Sequence, residues 1–177
     1  LVAGAFGGAL AAASAARWSL GVALLVASAA VWQRGLLHRC AGNLRARLEL
    51  DFSAPRVART ILVVTLALPV LGLTVLAALL QIDGVAPGGP LAGTFFAELG
   101  TTLSYLIPLL LVVVSLVGFA LRESSAGYAF SAGLVVMLTV ILAYALHVDQ
   151  FDTAQLVTML QLTTITAAIW MLGWLVA

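Results

Sequence analysis

Only a handful of side chains in this sequence are of types that carry chemistry, and their spacing decides what they can do. His147, Asp149 and Asp152 fall close together, and a histidine with two carboxylates is a donor set that suits a divalent cation. Asp152 has a simpler use, because Gln155 follows it at the spacing of a helix capping box. Without Asp152, two ordinary loop residues remain. His38 and Cys40 could share a metal, yet a structural zinc site takes four ligands and no others are near. Cys40 is the only cysteine, so no intrachain disulfide can form. The zinc-protease HExxH, P-loop and GxSxG patterns are absent. No ionisable residue falls in the core of any expected span, which leaves a proton relay without parts. The sequence reads as a non-enzyme, without cofactor or metal.

The other candidates are polar or kinking positions inside apolar runs. Pro69 and Pro108 each remove an amide donor and free the carbonyl four residues earlier, on Thr65 and Ser104. Inside lipid such a carbonyl needs a partner from the protein or from water. Paired interrupted helices can also mark a transport site at the middle of the membrane. The last apolar run is the most polar, with Gln155, Thr158, Gln161, Thr163, Thr164 and Thr166 in its first half. Gln161 has two donors and one acceptor to satisfy, so it is expected to point into the bundle. Its expected partners are the carbonyls of Thr65 and Ser104 and the hydroxyls of Ser104 and Tyr105. The candidate set is therefore Pro69, Pro108, Ser104, Tyr105, Gln161 and Thr164. The simpler reading of all six is packing kinks and hydrogen-bonded contacts between helices.

The elements that would hold these residues follow from composition. Hydrophobic residues make up 63% and charged residues 8%, with a mean hydropathy of +1.17. Soluble domains carry about 25% charged residues, so the chain belongs in lipid. Its net charge of +1 gives no electrostatic case for nucleic acid. Every basic residue is arginine, and Ala, Gly, Val and Leu abound. That composition suggests a bacterial inner (cytoplasmic) membrane.

Six of the eight arginines, Arg34, Arg39, Arg45, Arg47, Arg56 and Arg59, lie in one polar stretch. Basic loops stay on the cytoplasmic side, so this stretch sets the topology and is a basic anchor facing the lipid. Leu37, Cys40, Leu44 and Leu48 recur there at helical spacing, as in an amphipathic interfacial helix. Anionic lipid is its expected partner. Ser53 and Pro55 then make a helix start.

The fold class expected is all-α: a polytopic bundle of about six transmembrane helices with both ends cytoplasmic. The spans are placed at about 1–16, 18–33, 60–82, 100–121, 127–146 and 154–177, with the cytoplasmic basic loop at 34–59. The break between the first two is assigned to Arg17, Trp18 and Ser19. One long helix over 1–32 would instead bury Arg17 in the membrane, at about 3 kcal/mol on insertion scales. Pro69 and Pro108 are expected to kink adjacent helices packed as an antiparallel pair. Residues 1–177 read as one membrane-embedded helical domain, a segment of a longer protein. Its expected role is structural, packing with other helices of the same or a partner chain. The alternative is a transporter or channel module using the two proline helices and the Gln161 face.

Overall fold

The computed structural model describes residues 2–32, 55–82, 93–148 and 152–176, and every regular element among them is helical. The helices are α1 (Val2–Trp32), α2 (Pro55–Ile82), α3 (Phe95–Glu98), α4 (Thr101–Glu123), α5 (Ala126–Ala145) and α6 (Thr153–Val176). All but the short α3 are long and apolar enough to cross a membrane.

Local signals account for most of the boundaries. Pro55 opens α2, where a missing amide costs nothing. Asp152 and Gln155 close the expected capping box: the Gln155 amide donates to Asp152 Oδ1 at 2.8 Å and the Asp152 amide to Gln155 Oε1 at 3.3 Å. Between α4 and α5 the chain turns on Ser124, whose φ of 48° is left-handed, the conformation that commonly ends a helix.

The four packed helices share one pattern. In α1 the buried positions are Ser14, Arg17, Gly21, Leu24 and Ser28; in α2 they include Val63, Ala67, Val70, Thr74 and Ala77. Tyr105, Leu109, Val112, Leu116 and Phe119 continue the pattern in α4, and Ala132, Val135, Thr139, Leu142 and Ala145 in α5. Steps of three and four residues make a narrow stripe suited to small-angle packing. The α1 stripe is small and polar, so backbones approach closely there, as membrane helix interfaces favour. Outside the stripes Val26, Leu68, Val114, Phe130 and Ile169 are exposed, a distribution that lipid tolerates and water does not.

α1 packs against both α2 and α4, α4 against α5, and α5 against α6, whereas α2 and α4 touch only sparsely. Contacts fix the directions. Arg17 lies over Tyr105, and Gly21 faces Pro108 and Leu111, so α1 and α4 run parallel. One end of the bundle carries Trp18, Phe95 and Phe96; the other carries Arg59, Glu123 and Tyr128. They are called the aromatic end and the basic end below.

Two expectations are corrected here. The hairpin break at Arg17–Ser19 does not form, because α1 is a single helix of 31 residues, about 46 Å long. The proline helices do not form a close pair either: α2 and α4 touch only sparsely, α2 packing mainly on α1 and α4 on α1 and α5.

Candidate functional site

The most unusual group in the bundle is Arg17, in the middle of α1 and only 2% exposed. Its Nη2 donates to Ser14 Oγ at 3.1 Å, one turn back along the helix. The guanidinium lies over the Tyr105 ring, 4.3 Å from the centroid. A desolvated cation–π contact contributes about 2 kcal/mol, and a charge-assisted hydrogen bond about 1.5–3 kcal/mol. Insertion scales put an arginine at the centre of a membrane helix at about 2.5–3.5 kcal/mol, an upper bound for Arg17, which adjoins the aromatic end of the bundle. The favourable terms match or exceed that cost, so α1 can carry Arg17 without breaking.

The surroundings of Arg17 are rich in donors. Arg17 Nε and Nη1, Trp18 Nε1 and the Ser104 hydroxyl are buried without a hydrogen-bond partner. No carboxylate pairs with Arg17 among the described residues. Above it, Trp18 packs on Phe95 and Phe96 with centroids 6.2 and 5.7 Å apart, an aromatic layer like those at membrane interfaces. α3, which supplies both phenylalanines, is flanked by Gly93 and Gly100, each at φ 82°. An L side chain is strained at that φ, so glycine is required to turn the chain into and out of α3. Donors and a π face can hold an anion or lock two helices together; general acid–base chemistry would need a carboxylate or imidazole as well.

The residues singled out from sequence are scattered. Tyr105 and Ser104 are buried in α4 beside Arg17's level, and Pro108 is buried against Gly21. Pro69 is exposed on α2. Gln161 and Thr164 are exposed on α6, which has no buried residue. The inward orientation expected for Gln161 is therefore not found, because α6 lies at the margin of the bundle and touches only α5 closely. The threonines of α6 need no neighbour: Thr158, Thr164 and Thr166 donate to the carbonyls of Ala154, Leu160 and Leu162 at 2.7–2.9 Å. The Gln161 amide makes no hydrogen bond among the described residues.

At the basic end, Arg59 is engaged with Glu123 rather than free to face lipid, and the Thr60 and Tyr128 hydroxyls lie 3.4 Å apart. Phe119 stacks on Tyr128. These contacts tie α2, α4 and α5 together. The backbone of Arg56 lies in the first turn of α2. Arg34, Arg39, Arg45, Arg47, His38, Cys40, Ser53 and Asp149 fall outside the described residues. Of the proposed cation ligands, the His147 ring donates through Nδ1–H to the Ala143 carbonyl at 2.8 Å, and Asp152 caps α6. No cluster of three metal-ligating side chains occurs among the described residues.

Sequence reasoning weighed Arg17 as an interior residue of one long helix and set that aside on the cost of burying a charge. The signal that could have exposed it was the α1 stripe of steps of three and four running straight through Arg17. Comparison with known proteins finds no matching family model, no matching curated protein and no matching solved structure.

Proposed function

We propose that this chain is a multi-pass membrane region whose task is structural: its helices pack together and present α6 to further helices of the same or a partner chain. The observation that carries this reading is Gln161. It is exposed, two turns into a helix long enough to cross the membrane, where lipid can satisfy neither its donors nor its acceptor. A second polar helix side could. We assign the chain no catalytic role.

In this reading the long helices cross the membrane five times, and the basic connection 33–54 stays on the cytoplasmic face. Its arginines lie over anionic lipid, each contributing about 1 kcal/mol. With α1 crossing once, residues before Arg17 and the end of α6 lie on opposite faces, in place of two cytoplasmic ends. The arginine-only composition supports a bacterial cytoplasmic membrane. The alternative, a transport path along the two proline helices, has less support, since α2 and α4 touch only sparsely and Pro69 is exposed on α2.

Cross-linking tests the proposal. In a Cys40→Ser background, a cysteine at Ile165, one turn from Gln161, should cross-link in native membranes, and one at lipid-facing Val26 should not. Gln161→Leu should weaken the association by about 1 kcal/mol, about five-fold. Equal cross-linking at both positions, indifferent to Gln161→Leu, would leave the amide in lipid and remove the case for assembly.

A further inference from the structure

α6 has two unlike sides. Met159, Thr163, Trp170 and Trp174 are half-buried, and Trp170 donates from Nε1 to the Ala129 carbonyl of α5 at 3.3 Å. That side is held by the bundle. On the far side an exposed row repeats every 3.5 residues. Written as a heptad, Ala154, Gln161, Ala168 and Leu175 occupy its a positions, and Val157, Thr164 and Met171 its d positions. From 154 to 175 the seam is about 32 Å long, close to the thickness of the hydrocarbon core. Seams of this period pack at a shallow left-handed angle, and a single polar side chain at a fixes register and partner number.

The chemistry of the seam is self-complementary. It carries no charged residue, so a like seam is not repelled. The Thr164 hydroxyl is spent on the Leu160 carbonyl at 2.8 Å, which leaves the Gln161 amide as the one seam group with donors to place. Its NH2 donates and its carbonyl accepts, so two glutamines face to face exchange two hydrogen bonds. Ala154 and Ala168, one heptad before and after, let the backbones come close enough for the amides to meet.

The membrane supplies the remaining constraint. Every copy inserts in the same sense, so a two-fold axis relating a pair lies along the membrane normal and equal helices run parallel. Residue i then meets residue i, as in the a layers of a parallel coiled coil. Any other helix must bring an amide to this depth between small residues; a second copy does so by symmetry. We propose that the partner of α6 is the α6 of a second copy of this chain, in a parallel two-fold dimer with the Gln161 amides paired at its axis. The inference rests on the assembly reading above and names the partner.

The test uses two full-length copies bearing different tags, both with Cys40→Ser, co-expressed and oxidised in native membranes. Ala168→Cys should give a disulfide-linked product carrying both tags, whereas Ile169→Cys, exposed on the flank of the seam, should not. In vesicles, energy transfer between copies labelled at native Cys40 is followed as lipid is added. Gln161→Leu should weaken the association about five-fold, and Gln161→Asn, which keeps the amide, should retain most of it. A linked product of another mass carrying one tag would put a different chain on α6; the assembly reading would stand and the second copy would fall. Equal linkage at Ala168 and Ile169, or energy transfer indifferent to Gln161→Leu, would also overturn the dimer. So would the absence of any product at Ala168, and if Ile165→Cys is silent too, the assembly reading falls with it.

Discussion

Arg17 over Tyr105 is the contact whose removal should be most informative, and a double-mutant cycle isolates it. Arg17→Met removes the cation–π contribution of about 2 kcal/mol and the hydrogen bond to Ser14, of about 1.5–3 kcal/mol. It also relieves the burial of a charge, about 2.5–3.5 kcal/mol. The net change should be neutral to destabilising, a loss of about 0–2.5 kcal/mol. Tyr105→Leu with Arg17 retained is different, because it leaves the cation buried without its π face; it should cost about 3 kcal/mol. In the Arg17→Met background the same change should cost less, by a coupling energy of about 1–2 kcal/mol. Reversible unfolding in mixed micelles or bicelles reads all four corners of the cycle. A coupling below about 0.5 kcal/mol would mean that the guanidinium and the ring do not meet. The packing of α1 on α4 would then need another explanation.

Two further changes test the rest of the bundle. Gly133→Ala places a methyl 2.6 Å from Trp170 Nε1, so the indole must shift; the cost should be about 1–3 kcal/mol, seen in thermal unfolding together with altered tryptophan emission. Glu123→Gln breaks the pair with Arg59, whose side chains are 31% and 15% exposed. The loss should be no more than about 1 kcal/mol, and high salt should remove most of the difference from wild type.

How much of this was legible depends on how local each cause is. The bounds of α4, α5 and α6 lie within a residue or two of the expected spans, because apolar run length and the Asp152–Gln155 cap are properties of a few neighbouring residues. Arg17 was misplaced for the opposite reason. What stabilises it is Tyr105, distant in sequence and brought alongside only when α1 packs on α4. The packing of the proline helices was misjudged similarly, since a short connection suggests a hairpin and says nothing about α1 taking most of the α2 packing surface. For Gln161, polarity in the sequence shows that a partner is needed but not on which side. α6 has no fully buried residue, so its direction is set by α5 through Trp170 and Gly133.

The account turns on α1 crossing the membrane once, since that places Arg17 beside Tyr105 and puts residue 8 about 13 Å beyond it along the helix. Labelling with a membrane-impermeant thiol reagent tests this directly, using native Cys40 and a Gly8→Cys variant carrying Cys40→Ser. In intact cells the cysteine at position 8 should react and Cys40 should react only after permeabilisation. Both cysteines reacting from the same face would restore the hairpin at Arg17 and contradict the single crossing.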